Sequence, residues 1–345
     1  MKKRLEYIDS IRGLAILLMV MGHAIAWSYE DWNVICIFNQ SQPSNIMAGG
    51  FVWQIIYSFH MALFFMVSGY LSGNTIVTKN NILHIIKNKS QRLLLPYLVT
   101  GCILYAFYHY WEGYWFLLSL YEMSLLWMLI NPILNRINAN KVFIVDLIFL
   151  FVIYVLLRML TLTLSTMSIG NANLGTFIKY YLPFCFGVLM KKHSFIEVFV
   201  KKQRCFTICL LLYILLFSTR YMTSYPIIYI FVEKVDFFMS LLALLACSMM
   251  FHIFMNGINK KLESFFDYLG RLSMPIYILH NKFVLQFAFM GSFILQQKIW
   301  TSITLQLVNS LVLSTIAIFL CVFVYKFISH SKLARLLLFG ETIKS

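Results

Sequence analysis

The chain has 345 residues, 61% of them apolar and only 12% charged, with a mean hydropathy of +0.78 and a formal net charge of +15. Soluble domains run near half apolar and a quarter charged, so this composition excludes an ordinary soluble protein, and its 32 Phe and 20 Tyr exclude a disordered chain. The positive charge is scattered through gaps between apolar runs instead of forming the basic face that nucleic acid requires, and the seven cysteines, mostly inside those runs, read as core thiols.

A membrane-crossing helix takes about 20 apolar residues. In chain order, such stretches run from Ile11 to Trp27, Phe51 to Leu71, Leu93 to His109, Tyr114 to Ile130 and Val142 to Leu160. A second set runs from Phe177 to Met190, Phe206 to Thr219, Val235 to Met255, Leu272 to Met290 and Ser302 to Tyr325, with Tyr221 to Glu233 a candidate re-entrant piece. The expected fold is therefore all-α: a polytopic membrane protein of about ten transmembrane helices, forming one membrane domain over residues 1–345 with no appended soluble domain. If the spans alternate, the connections sharing a side with the N-terminus hold most of the 28 lysines and arginines, whereas the opposite side holds only Arg220, Lys234 and Lys298. By the positive-inside rule both termini are cytoplasmic. Lys2, Lys3 and Arg4 ahead of a run reaching Ala24-Ile25-Ala26 also resemble a cleaved leader. Arg12 and His23 are out of place in a disposable segment, and the remaining spans need the first to balance the topology.

Ionisable groups inside the hydrocarbon region are costly and mark function by default. Arg12 and His23 lie eleven steps apart, which on a helix is about 1100°, or about 20° from three full turns, and about 16 Å of rise. They share a face, with Arg12 at the cytoplasmic edge and His23 near the bilayer centre. His60 in the second span and His280 in the ninth reach a similar depth, and so does Glu122 in the fourth. A neutral histidine with a carboxylate nearby is what general base chemistry requires; the plainer reading is a set of core histidines bonded to backbone carbonyls. Arg92 opens Arg92-Leu93-Leu94-Leu95-Pro96-Tyr97 at the cytoplasmic edge, where it and Arg12 form a collar for phosphate or pyrophosphate, or simply positive-inside charge. Trp111 and Trp115 border the fourth span as an aromatic belt. Aromatics along an outer cleft also suit sugar stacking, and Trp115 is the candidate substrate-binding residue among them. His84, His193 and His330 are read as solvated, His109 and His252 as interfacial. No helix carries an i, i+4 histidine pair, so no metal site is expected.

These motifs resemble the acyltransferase 3 family of integral membrane acyltransferases. The resemblance rests on Tyr7-Ile8-Asp9-Ser10-Ile11-Arg12-Gly13-Leu14-Ala15 with Gly22-His23-Ala24, on Phe59 to Tyr70, and on Arg92 to Tyr97. It continues through Tyr114-Trp115-Phe116-Leu117-Leu118 and Gly270 to His280. One departure is Ala62, where many members have Pro. The resemblance implies a bacterial cytoplasmic membrane protein that moves an acyl group, usually acetyl, from cytoplasmic acyl-CoA to a hydroxyl of a surface or lipid-linked glycan. Acetyl-CoA is then a donor substrate and no cofactor is permanently bound. On that basis His23, oriented by Glu122, is the general base or a transient acyl carrier. Arg12 and Arg92 hold the donor phosphates, while His60, His280 and Trp115 line the acceptor chamber. The rival reading is a polytopic transporter or flippase, although inverted repeats are not evident.

Overall fold

The computed structural model describes residues 6–26, 50–78, 80–109, 114–138, 140–166, 172–221, 236–285 and 287–341. Lys2 to Arg4, residues 28–49 between the first two expected spans, Lys79, Trp111 and residues 222–233 of the re-entrant candidate lie outside them. All regular structure among the described residues is helical. Among the described residues, six helices are long and apolar enough to cross a membrane: Tyr7–Ala26, Phe51–Ser72, Trp115–Ile137, Phe143–Thr161, Phe237–Met255 and Trp300–Ile328.

The elements in order are α1 (Glu6–Ala26), α2 (Gly50–Ser72), α3 (Ile82–Lys89), a π-helical turn (Ser90–Leu94), α4 (Leu95–Tyr108), α5 (Trp115–Ile137) and α6 (Phe143–Thr166). There follow α7 (Ala172–Lys192), α8 (Ser194–Val200), α9 (Gln203–Tyr221), α10 (Asp236–Met255), α11 (Lys260–Arg271), α12 (Ser273–Phe283), α13 (Ala288–Leu295), α14 (Ile299–Ile328) and α15 (Lys332–Phe339). Helices cover nine of the expected apolar stretches. The stretch from Leu272 to Met290 is instead broken: α12 stops at Phe283, Val284 turns extended, and α13 resumes at Ala288. Exposed apolar residues run in continuous stripes, such as Ile144, Leu147, Ile148, Phe151, Val155 and Met159 on α6. Water would not tolerate such a surface, but lipid does.

The chain divides into two compact units, Met1–Phe64 with Phe199–Val324, and Phe65–Val198 with Tyr325–Ser345. In the first, α1 crosses α11 on reciprocal glycines: a Cβ on Gly13 would sit 1.9 Å from the Phe266 carbonyl oxygen, and one on Gly270 would sit 1.8 Å from that of Asp9. Only a residue without a side chain lets two helix backbones approach so closely. The second unit repeats the device between α2 and α7, where a Cβ on Gly69 would meet the Phe184 oxygen at 1.9 Å and one on Gly187 the Met66 oxygen at 2.1 Å.

The π turn has a local cause. Pro96 lacks an N–H, and in a regular helix its ring would press on the carbonyl four residues earlier, that of Arg92. Widening the helix over Ser90–Leu94 makes room for the ring. Gly340, at a φ of +64° after α15, rests on this turn: a Cβ there would lie 2.5 Å from the Gln91 oxygen and 2.7 Å from the Arg92 Cα.

A histidine pair as the candidate active site

Three of the predicted site histidines come together in the first unit. The Nε2 of His280 lies 3.0 Å from the Nδ1 of His23, with ring centroids 4.9 Å apart. The Nδ1 of His280 lies 2.7 Å from the Tyr277 carbonyl oxygen. A carbonyl only accepts, so His280 carries its proton on Nδ1 and, when neutral, presents a bare Nε2. That Nε2 must accept from His23, which fixes the His23 proton on Nδ1 and leaves the basic lone pair on its Nε2. The Asn281 side chain also hydrogen-bonds His23. His280 is buried, whereas His23 is partly exposed, so the more accessible imidazole is the one with the basic nitrogen directed away from its partner.

His60 joins through an aromatic intermediary. Its Nδ1 donates to the Ile56 carbonyl at 2.8 Å, and its ring meets Tyr57 edge-on at 4.7 Å. Tyr57 stacks beside His23 at 6.3 Å and on Trp53 at 3.9 Å. Gly22 permits this packing, because a Cβ there would stand 2.6 Å from the Tyr57 ring. His60 and His280 each bond a backbone carbonyl, as the plainer reading expected. The same bonds set their tautomers.

Arg12 is braced at the other end of α1. One guanidinium nitrogen donates to Asp9 at 3.1 Å and another to the Ser273 hydroxyl at 2.8 Å, and a third of the side chain is exposed. Ser273 opens α12 and His280 lies two turns along it, so α1 and α12 run side by side in the same direction, tied at both ends.

Arg92, Glu122 and Trp115 belong to the second unit. Arg92 is exposed on the π turn, whose Ser90 hydroxyl lies 2.9 Å from that of Tyr121. Burial and the Arg92 charge lower the pKa of neighbouring Lys89. Glu122 is half-buried on α5 and forms no hydrogen bond or ion pair among the described residues. Trp115 stacks on Tyr180 at 5.9 Å, and Tyr180 stacks on Phe65 at 4.8 Å.

His193, read as solvated, and His252, read as interfacial, are both buried. His193 is 6% exposed and its Nε2 donates to Asp146 at 2.7 Å, while Lys192 pairs with the same carboxylate at 2.9 Å and Asn138 donates to it at 2.7 Å. Asp146 is completely buried, and a buried carboxylate draws in every donor within reach. His252 is likewise buried, its Nδ1 donating to the Val200 carbonyl at 2.8 Å. The sequence reading also missed Asp9, Tyr57, Ser273 and Asn281 as partners. All but Ser273 stand within three positions of a predicted site residue, which is the signal available for them. No group of three or more His, Cys, Asp or Glu among the described residues is arranged to hold a metal ion.

No curated protein and no solved structure matches the chain. Residues 5–326, essentially the whole length, match a family model described as an acyltransferase domain. The chain is a multi-pass membrane protein and belongs to the acyltransferase 3 family.

Proposed function

We propose that the protein is an O-acyltransferase of the bacterial cytoplasmic membrane that moves an acetyl group from cytoplasmic acetyl-CoA to a hydroxyl of a surface or lipid-linked glycan. The observation that carries this reading is the hydrogen-bonded pair of His23 and His280, whose fixed tautomers leave His23 Nε2 as a base. In the proposed step the acceptor oxygen attacks the thioester carbonyl while His23 Nε2 takes its proton. The carbon–sulfur bond then breaks, and the departing coenzyme A thiolate recovers that proton from His23. Direct transfer needs no acyl-histidine, and the general base accounts for about 10²- to 10⁴-fold of the rate.

Orientation of the base is assigned to His280, since Glu122 offers no hydrogen bond among the described residues. Arg12 and Arg92 supply guanidinium donors for the coenzyme phosphates. The rise of about 16 Å between positions 12 and 23 of one helix suits a pantetheine arm laid along it. His60 and Trp115 are assigned to the acceptor side. The topology that goes with this reading has ten spans and cytoplasmic termini, supported by the distribution of lysine and arginine.

The test is transfer of radiolabelled acetyl from acetyl-CoA to membrane glycans by the purified protein in nanodiscs. His23→Ala should lower turnover about 10²- to 10⁴-fold with normal abundance in the membrane. Full activity in that variant would end the proposal. Movement of a glycan across the bilayer without labelling of it would favour a transporter.

A further inference from the structure

From Trp300 to Val324 helix α14 contains no Asp, Glu, Lys or Arg, yet it buries a polar stripe. Ser302, Gln306, Ser310 and Ser314 recur at four-residue spacing, so they share a face, and all four are buried. Ser310 and Ser314 satisfy themselves locally, their hydroxyls donating to the Leu307 and Leu311 carbonyls at 3.0 Å. Ser302 and Gln306 do not. The Ser302 hydroxyl and both polar atoms of the Gln306 carboxamide are sealed from solvent with no hydrogen-bond partner among the described residues, although Gln306 is 1% exposed. The Trp53 indole N–H is a third such group in the same unit. Trp53 belongs to an apolar cluster with Met21, Ile25, Ala26, Val52 and Ile56, and Ile303, next to Ser302, packs against it.

An apolar residue of the same volume would be more stable at position 306 than an amide left unpaired. The amide is explained if it meets its partner in another state of the molecule. We propose that the N-terminal third of α14 is the docking place of the acceptor, with the Gln306 carboxamide bonding its hydroxyls and Ser302 and the Trp53 N–H beside it. This rests on the acyltransferase reading and assigns the acceptor's place within it. A carboxamide gives two hydrogen bonds and accepts others, which suits neighbouring hydroxyls that both give and take. Between Trp300 and Val324 no side chain carries a charge, and Lys298 just before the helix is exposed, so the buried amide suits an uncharged polyhydroxy group better than a phosphate or carboxylate. The same wall leads to the reacting end, since Trp53 stacks on Tyr57 and Tyr57 lies beside His23 and His60. The amide is sealed from solvent as the helices stand, so α14 must part from its neighbours to admit a ligand.

The experiment uses the full-length protein in nanodiscs, titrated with p-nitrophenyl β-D-glucopyranoside, a neutral polyol whose nitrophenyl ring quenches tryptophan, and with p-nitrophenyl phosphate as its charged counterpart. The glucoside should quench saturably and the phosphate should not. Gln306→Leu should weaken glucoside binding about tenfold, the equivalent of one hydrogen-bonded contact, and Ser302→Ala severalfold less. Both variants should keep their affinity for acetyl-CoA and melt no lower than the parent protein. Absence of saturable quenching in the parent, an equal response to the phosphate, or glucoside binding unchanged by both substitutions would overturn the proposal. Failure of the acyltransferase reading has a different signature: labelled acetyl reaches no hydroxyl while glucoside binding and its dependence on Gln306 persist.

Discussion

Each unit crosses two helices on reciprocal glycines, yet the most deeply buried of their histidines and carboxylates differ in kind: His60 at 1% and His280 at 2% exposure in the first unit, Asp146 at 0% in the second. The first unit holds imidazoles: His280 and His60 each spend one ring nitrogen on a carbonyl of their own helix, and the other nitrogen of His280 bonds His23. The second holds a charge, the fully buried Asp146 carboxylate, surrounded by Lys192, His193 and Asn138. A buried ion pair is strongly destabilised when one partner is removed, because the other charge is left uncompensated. A neutral hydrogen bond between imidazoles has less at stake in folding and more in proton transfer. On the proposed reading, the difference separates a part that performs chemistry from a part that keeps its helices in place.

Substitutions can break this division. Asp146→Ala should cost about 3–5 kcal/mol of stability, seen as reduced abundance and a lower melting temperature, while the surviving protein keeps its turnover. His280→Ala should do the reverse. It removes the partner that fixes the His23 tautomer, and turnover should fall about 10- to 100-fold, matching a hydrogen bond worth about 1.5–3 kcal/mol, with little change in melting. Similar stability losses for both variants would erase the distinction. Glu122→Gln should alter turnover by less than about threefold; a loss as large as that of His280→Ala would return the carboxylate to the chemistry.

A smaller effect sharpens the role of the π turn. Burial and Arg92 lower the pKa of Lys89, so as pH rises this lysine loses its charge before an ordinary lysine would. If the donor phosphates rest on Arg92 as proposed, the neighbouring Lys89 charge adds to their attraction, so acetyl-CoA affinity should weaken about two- to fivefold as pH rises through that lowered value, and Lys89→Met should flatten the profile. A dissociation constant that is independent of pH in the parent protein would remove Lys89 and its neighbourhood from donor binding.

The sequence made the histidine convergence legible because depth along a helix is arithmetic: eleven steps bring residues 12 and 23 to one face, and nine residues past Arg271 reach the same level. It could not show Asp146 with His193, which are 47 positions apart and meet only through the packing of α6 and α7. The break after Phe283 was hidden for a different reason, since apolar residues resume directly after His280-Asn281-Lys282 and carry the run on to Met290. Gln306 escaped notice because a reading based on charge passes over an amide, although in hydrocarbon an unpaired amide is also costly.

The double tie between α1 and α12 has a mechanical consequence. Guanidinium and imidazole sit on one rigid rod, fastened to its neighbour near each end, so the rod behaves as a gauge with two fixed marks. Adding one alanine between positions 12 and 23 would leave every side chain intact but turn one mark about 100° against the other. Catalysis would then fail by misregistration, with no functional group removed.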